Sequence, residues 1–155
     1  VPGVNNCLLI DDTYNSSPRA AEAALDALAK LNIGEVEHKV VLVGDMLELG
    51  DYSEKAHFEL GQKSAESGID LLVSVGQYRS EIAKGAKQAG LENIVEFVDS
   101  IAARDKINEL IKPNSLVLIK GSQGSRMERL VRDLMKEPGR AEELLIRQDD
   151  TWKDR

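Results

Sequence analysis

Polar side chains follow directly on a short apolar run near the start of the chain. Residues 7–10 (CLLI) lead into Asp11 and Asp12, and then into the hydrogen-bonding cluster at 13–17. A carboxylate at the end of a buried strand can accept ribose hydroxyls or hold Mg²⁺. The alternative is an aspartate that starts a turn and accepts from nearby backbone N–H groups. The two aspartates alone do not decide between these interpretations.

A second polar segment lies near the other end of the chain. Residues 120–125 (KGSQGS) connect an apolar run to an amphipathic segment that starts at Arg126. Backbone N–H groups with Lys120, Ser122 and Ser125 would form an anion cradle, and Arg126 would add a bidentate partner for carboxylate or phosphate. A glycine-rich turn that needs positive φ is the alternative. The sequence contains neither G-x-x-x-x-G-K-[ST] nor G-x-G-x-x-G, so a self-contained NAD site is not expected.

A third segment, residues 44–50 (GDMLELG), has a glycine at each end and apolar residues between them. Apolar loop residues must pack on the core of their own domain or complete a face with another domain. Asp45 and Glu48 could meet a substrate cation or an ion, but a cap and a solvated charge are the simpler expectation. His57 is expected on the surface, or half-buried, on a helix. No cysteine or second histidine lies near it at ligand spacing, so no metal site is expected.

Five apolar runs alternate with five amphipathic segments, and these elements must position the polar groups. We expect strands at 7–10, 39–43, 70–75, 94–98 and 115–119, and helices at 18–31, 53–67, 78–89, 101–111 and 126–135. Ser17 should cap the first helix, with Pro18 at its first position. The pattern predicts a doubly wound, three-layer, Rossmann-like α/β domain with a mostly parallel sheet, whose strand order is not readable. Ligands bind at the carboxyl ends of such strands, so the polar segments should face one cleft.

Composition and charge exclude several classes of protein. The 155 residues fit one domain with a full core, and a net charge of −7 argues against non-specific binding to nucleic acid or anionic membranes. No apolar run approaches the ~20 residues of a membrane span, and no secretory signal pattern is present, so a cytoplasmic location is expected. The single cysteine, Cys7, should simply pack in the first strand.

The two ends of the chain differ from the middle. The chain starts at Val1 rather than Met and reaches its first strand within a few residues, which suggests a fragment cut at a domain boundary. We expect the domain to cover residues 1–137. Residues 138–155 would form a tail in which the apolar run 144–146 adds a short docked element and Trp152 docks or stays in solvent.

A phosphoacceptor receiver domain is an alternative with the same gross architecture. Asp11, Asp12 and Lys120 mimic the acidic pair and the lysine of receivers. Receivers also need an aspartate at the end of the third strand, where residues 74–76 read SVG, and a proline where Gly121 stands. The receiver therefore stays a distant alternative.

Three segments together resemble one family. Residues 11–18 (DDTYNSSP), 43–50 (VGDMLELG) and 120–128 (KGSQGSRME) are similar to the DDSYNANP, GDMLELG and KGSRSMRME motifs in the C-terminal domain of the Mur ligases, in the same order and at similar separations. The resemblance covers about residues 5–135. The GDMLELG segment points to the family member that adds D-alanyl-D-alanine. A sister Mur ligase or a folylpolyglutamate-type ligase is the alternative.

The resemblance implies one domain of a three-domain, ADP-forming amide ligase of peptidoglycan synthesis. ATP would phosphorylate the peptide carboxylate of UDP-MurNAc-tripeptide, and the amine of D-alanyl-D-alanine would attack the acyl phosphate. The P-loop and the Mg²⁺ ligands would belong to a central domain, and an N-terminal domain would hold most of the UDP-sugar. Both domains would be partners outside this chain, which alone would be inactive.

The resemblance also implies roles for individual residues. Asp12 would accept the ribose hydroxyls of ATP. Its neighbours near the nucleotide and phosphates would be Tyr14, Asn15 and Ser16. The residues near the incoming amino-acid substrate would be Lys120, Gly121, Ser122 and Arg126, with Ser122 and backbone N–H groups holding its carboxylate. Asp45 and Met46 would belong to a loop that shapes the closed cleft. Gln123-Gly124 replaces Arg-Ser of the family pattern, so one candidate carboxylate-binding arginine is missing.

Overall fold

A five-stranded parallel sheet forms the centre of the protein in the computed structural model, which describes residues 1–145. The strands are β1 (Leu8–Asp12), β2 (His38–Val43), β3 (Leu71–Val75), β4 (Ile94–Phe97) and β5 (Ser115–Lys120). Their order in the sheet is β1-β5-β2-β3-β4, and every neighbouring pair is parallel. All five predicted strands are present, and the predicted α/β fold class is confirmed.

Helices cover both faces of the sheet. They are α1 (Pro18–Lys30), α2 (Ser53–Glu66), α3 (Arg79–Gln88), α4 (Ser100–Leu110), α5 (Glu128–Leu134) and α6 (Ala141–Leu144), with short 3₁₀ turns at Val4–Asn6, Gly50–Tyr52, Gln123–Ser125 and Pro138–Arg140. The apolar sides of α1, α2 and α3 share one core cluster, and those of α4, α5 and α6 share the other. The chain is therefore doubly wound, as predicted.

The position of β5 creates a switch point in the middle of the sheet. The chain leaves β1 and β2 toward the α1–α3 layer, whereas it leaves β5, which lies between them, toward the α4–α5 layer. Beyond the carboxyl edge, the chain therefore continues to opposite faces of the sheet from these neighbouring strands. Such a point is where open α/β sheets bind ligands.

Strand register brings the ends of β1 and β5 side by side. Asp12 pairs with Lys120, and Lys120 pairs with Val43 of β2 on its other side. Because side chains alternate between faces, Lys120 points to the same layer as Leu116 and Leu118, which pack against α1–α3. The lysine and the aspartate thus share one face.

The backbones of α2 and α3 touch through two glycines. A β-carbon at Gly61 would overlap the carbonyl oxygen of Ile82, and one at Gly85 would overlap that of Phe58. Only residues without a side chain allow this approach. The close crossing fixes α3 against α2, and with it the loop that leads into α3.

The two ends of the described chain lie close together. Gly3 forms a bridge with Met135, and the Val1 ammonium donates to the Leu9 carbonyl at 2.7 Å. Ala141 and Leu145 are buried in the α4–α5 core, whereas the predicted tail residues 146 and 152 lie outside the described part of the chain. A division at residue 137 remains a prediction. Cys7 is buried, as expected, and no helix within residues 1–145 is long and apolar enough to cross a membrane.

Candidate functional site

Three loops meet at the carboxyl edge of the sheet, and Ser122 joins them. Its hydroxyl accepts from the Leu47 N–H at 3.0 Å in the loop after β2 and donates to the Ser16 carbonyl at 3.4 Å in the loop after β1. Its own N–H donates to the Asp45 carbonyl at 3.0 Å. The polar segments predicted to share a cleft therefore lie at one edge and in direct contact.

Lys120 holds the carboxylate of Asp12. The ammonium Nζ donates to Asp12 Oδ2 at 2.8 Å and to the Asn15 carbonyl at 2.8 Å. The lysine side chain is 3% exposed, whereas that of Asp12 is 41% exposed. A buried cation thus orients a carboxylate that reaches solvent, and it fixes the loop after β1 at the same time.

The two neighbouring aspartates have different hydrogen-bonding partners. Asp11 Oδ1 accepts from the Thr13 hydroxyl at 2.6 Å and from the Thr13 N–H at 3.2 Å, which is the local turn foreseen as the alternative. Asp12 makes the long-range ion pair with Lys120 instead. Of the two, Asp12 is the aspartate that reaches across to β5 and keeps part of its carboxylate exposed.

The remaining residues of the loop after β1 line the edge beside Asp12. Tyr14 and Asn15 are exposed and Ser16 is half-buried. Ser17 Oγ accepts from the Ala20 N–H at 3.1 Å, with Pro18 at the first position of α1, so the predicted cap is confirmed. The cap fixes where the loop ends and leaves residues 14–16 at the rim.

The glycines after β5 serve close packing rather than positive φ. A β-carbon at Gly121 would meet the Ser125 hydroxyl, and one at Gly124 would meet Leu47. The left-handed residue here is Arg126, with φ of 54°. Because a left-handed residue cannot belong to a helix, α5 starts at Glu128 and not at Arg126 as predicted.

Arg126 makes a short-range ion pair inside the fold. Its Nε donates to the Glu128 carboxylate, and the two side chains are 15% and 8% exposed. The pair ties the left-handed turn to the start of α5. The guanidinium is therefore held at the edge by a partner two residues away.

Asp45 and Glu48 have the expected roles of a cap and a solvated charge. The Asp45 carboxylate is buried and accepts from the Gln77 N–H at 2.9 Å and the Tyr78 N–H at 3.0 Å, so it caps the loop that leads into α3. Glu48 is exposed, as expected for a solvated charge. Met46 is fully buried in the core of its own domain, whereas Leu47 stays exposed at the edge.

The prediction for His57 was wrong, because the ring is completely buried. Its Nε2 accepts from the Met46 N–H at 2.9 Å, its Nδ1 lies 2.6 Å from the Ser53 carbonyl oxygen, and the ring stacks on Tyr78 at 4.3 Å. Burial lowers the pKa of the His57 imidazole below its ordinary value, against opposing contributions from the Ser53 carbonyl and the charges of Asp45 and Glu81. The sequence carried one signal: His57 lies in the buried stripe of α2, four residues after Ser53.

The described residues do not offer Mg²⁺ a set of ligands. Within residues 1–145 no three His, Cys, Asp or Glu side chains group as they would around a metal ion. At the carboxyl edge Asp11 is bonded to Thr13 and Asp12 to Lys120. We therefore derive no chemical step through a metal held by this chain.

A doubly wound domain with polar groups at this edge is typical of nucleotide-binding α/β proteins. Comparison with known proteins identifies the family. The chain belongs to the Mur ligase family: the model of the family described as "Mur ligase, glutamate ligase domain" matches residues 1–123. The family resemblance of the three sequence segments is confirmed.

The individual relatives are more specific. UDP-N-acetylmuramoyl-tripeptide–D-alanyl-D-alanine ligase of Bacillus subtilis is 31% identical over 131 residues, which cover 84% of this chain and 28% of that protein. The Escherichia coli ligase of the same name is 35% identical over 133 residues, or 84% of this chain and 27% of that protein. The chain thus spans little more than a quarter of these relatives.

Solved structures agree with the sequence relatives. A crystal structure of MurF from Acinetobacter baumannii superposes with a TM-score of 0.73 at 37% identity, over 84% of this chain and 28% of that one. MurF ligase from Thermotoga maritima in complex with ADP gives 0.67 at 29% identity, over 90% and 32%. The second relative was therefore crystallised with a nucleotide.

Proposed function

We propose that this chain is the ribose- and amino-acid-binding domain of an ATP-dependent, ADP-forming ligase that adds D-alanyl-D-alanine to UDP-MurNAc-tripeptide in peptidoglycan synthesis. The observation that supports it most directly is the Asp12 carboxylate, oriented by buried Lys120 and open to solvent at the switch point of the sheet. The names of the relatives and the ADP in one of them support the same conclusion.

The proposed reaction needs two partners brought together without water. The terminal carboxylate of the tripeptide attacks the γ-phosphorus of ATP, which gives an acyl phosphate and ADP. The amine of D-alanyl-D-alanine then attacks the acyl carbon and loses a proton. The tetrahedral intermediate expels phosphate and leaves the amide. Water would hydrolyse the acyl phosphate, so a hinged domain that closes only with its ligands bound protects it.

We place the nucleotide at the loop after β1. A carboxylate can accept from both hydroxyls of a ribose, and Asp12 has the orientation and exposure for it. Tyr14, Asn15 and Ser16 extend the same rim and would lie near the base and phosphates. The phosphates and Mg²⁺ would be held mainly by a central domain outside this chain, in the cytoplasm where ATP is made.

We place the amino-acid substrate at the loop after β5. Gly121 would present its backbone N–H to the substrate carboxylate. The Ser122 hydroxyl would donate to that carboxylate in place of its 3.4 Å bond to the Ser16 carbonyl, while the Ser122 N–H stays on the Asp45 carbonyl. The cations of Lys120 and Arg126 are paired with Asp12 and Glu128, so they would act by holding the loop in shape. Asp45 and Met46 would likewise act from the core side, by fixing the loop after β2 that shapes the cleft.

The test is ligation by the full-length protein that contains this sequence. We expect ADP release that requires both UDP-MurNAc-tripeptide and D-alanyl-D-alanine, and none from the 155-residue chain alone. A preference for glutamate or for another amino acid would assign the chain to a sister ligase. ADP release by the isolated chain with the tripeptide would contradict the proposed division of labour.

A variant tests the nucleotide side. Asp12→Asn should raise the KM for ATP by about tenfold to a hundredfold, which corresponds to the 1.5–3 kcal/mol of a hydrogen bond to a charged group. The KM for D-alanyl-D-alanine should change much less. Glu92→Gln is the matched control, because Glu92 is exposed before β4, at the opposite edge of the sheet. An unchanged KM for ATP in Asp12→Asn would remove Asp12 from the site.

A further inference from the structure

Buried groups on the core side of loop 44–49 hold it in place, and the binding roles proposed above do not explain them. The Gly44 N–H donates to the Lys120 carbonyl at 2.8 Å, and the Asp45 carboxylate accepts from two N–H groups ahead of α3. The Met46 N–H donates to His57 Nε2. These contacts set where Leu47 lies, and its N–H in turn holds the Ser122 hydroxyl.

The hydrogen bonds determine the protonation state of His57. An N–H donor faces Nε2, so Nε2 must carry a lone pair. A carbonyl oxygen lies 2.6 Å from Nδ1, so Nδ1 must carry the proton. The ring is thus a neutral imidazole in its Nδ1–H form. Neither nitrogen is available to a ligand or a reacting group.

Protonation of this ring would break the contact with the loop. A proton on Nε2 would point at the Met46 N–H, and two donors repel. The charged or titratable groups around the ring are Asp45 from the loop after β2, Glu81 on α3 and the stacked Tyr78. The Asp45 carboxylate is engaged by Gln77 and Tyr78 N–H groups and cannot turn to the imidazolium without releasing them.

We propose that His57 is a positioning residue for the proposed site, which holds loop 44–49, and through Leu47 the Ser122 hydroxyl, only while its imidazole is neutral. The order of contacts is Ser53 carbonyl, His57, Met46 N–H, Leu47 N–H and Ser122. Acid would detach the loop at Met46 and loosen the place proposed for the amino-acid substrate. Only this last consequence rests on the proposed function.

The first measurement needs no variant. Long-range ¹H–¹⁵N NMR of the ¹⁵N-labelled 155-residue chain distinguishes the two ring nitrogens of each histidine, and the chain has only two histidines. We expect protonated Nδ1 and unprotonated Nε2 for His57 at pH 7. A protonated Nε2 at that pH would overturn the proposal, whether or not any variant folds.

The second measurement follows the loop itself. In His57→Phe, amide exchange at Met46 and Leu47 should accelerate about tenfold, as expected for one lost hydrogen bond. His57→Gln should restore most of the protection, because the Gln Oε1 can take the place of Nε2 as acceptor. His38→Gln is the matched control, since His38 begins β2 at the opposite edge. Equal exchange in His57→Phe and the unchanged chain would overturn the proposal.

The third measurement uses the full-length ligase. Protonation of the substrate amine raises the KM for D-alanyl-D-alanine at low pH in every variant. Below about pH 6.5 the rise should be steeper in the unchanged enzyme than in His57→Gln, because glutamine does not titrate. An equally steep rise in His57→Gln and in the unchanged enzyme would overturn the link from the loop to the substrate. Lack of ligation in every variant and in the unchanged enzyme would instead contradict the proposed function, and the two NMR results would still decide the role of His57.

Discussion

Replacing Lys120 by methionine tests whether the buried ion pair organises the carboxyl edge. Methionine keeps an apolar stem on the face of β5 that carries Leu118, and it removes the ammonium. Asp12 then loses its 2.8 Å partner, and the Asn15 carbonyl loses its donor. The loop after β1 should lose its fixed position over the end of β5.

The expected loss in the free energy of unfolding follows from the exposure of the two partners. Breaking a fully buried pair destabilises by about 3–5 kcal/mol, because a charge remains buried and unpaired. Here Asp12 is 41% exposed and can be rehydrated once the lysine is gone. The loss should therefore fall to about 1.5–3 kcal/mol, the range of a hydrogen bond to a charged group.

Urea unfolding of the 155-residue chain measures this loss, and a double-mutant cycle isolates the pair. Lys120→Met, Asp12→Asn and the double variant should show a coupling of at least about 1 kcal/mol. Lys55→Met is the matched control, because Lys55 is 70% exposed and pairs with Glu59 on the surface of α2 at 3.9 Å. That control should change stability by less than about 0.5 kcal/mol.

One result would refute this reasoning. If Lys120→Met were no more destabilising than Lys55→Met, and the cycle gave no coupling, the ion pair would contribute nothing to the edge. Asp12 would then be oriented by something other than Lys120, and the argument that a buried cation presents this carboxylate would fail.

Two further predictions concern packing and pH. Gly85→Ala should lower the free energy of unfolding, measured in urea, by about 1–3 kcal/mol, because the new methyl group would overpack against the Phe58 carbonyl. Gly139→Ala is the control and should change stability little, since no atom lies within 4 Å of its added carbon. Equal effects of the two substitutions would contradict the close helix crossing. Because the folded pKa of His57 is lowered, the unfolded chain binds more protons below about pH 6.5, so stability should be full above that pH and fall below it. Thermal unfolding at pH 5.5 and 7 should show a smaller fall in His57→Gln, and identical slopes in the two proteins would contradict this.

Much of the fold could be predicted because the local signals agreed with the final structure. Apolar runs such as 39–43 and 115–119 lie in strands covered on both faces, and the Ser17-Pro18 pair starts α1 where the capping rule places it. The place of β5 between β1 and β2 could not be predicted, because it depends on how whole layers pack. The left-handed Arg126, which delays the start of α5, carries no local signal either.

The meeting of the polar segments at one edge of the sheet was predictable, but the contacts between them were not. Polar residues after β1 and β5 were expected at one edge, since parallel strands end together, and the structure brings them into contact there. The pairing of Lys120 with Asp12 depends on strand order, so the sequence alone could not show it. The buried role of His57 was missed because a histidine among charged residues on a helix resembles a solvated one, and the loop that covers it is brought there by tertiary packing.

The central place of the last strand has a consequence for how the protein is made. β1 has β5 as its neighbour in the sheet, although more than a hundred residues separate Asp12 from Lys120. Until residues 115–120 have been synthesised, β1 lacks a strand partner and one edge of β2 stays open, which invites pairing with other chains. The carboxyl edge and the middle of the sheet therefore form in one late event. A chain that ends before Ser115 should aggregate rather than fold.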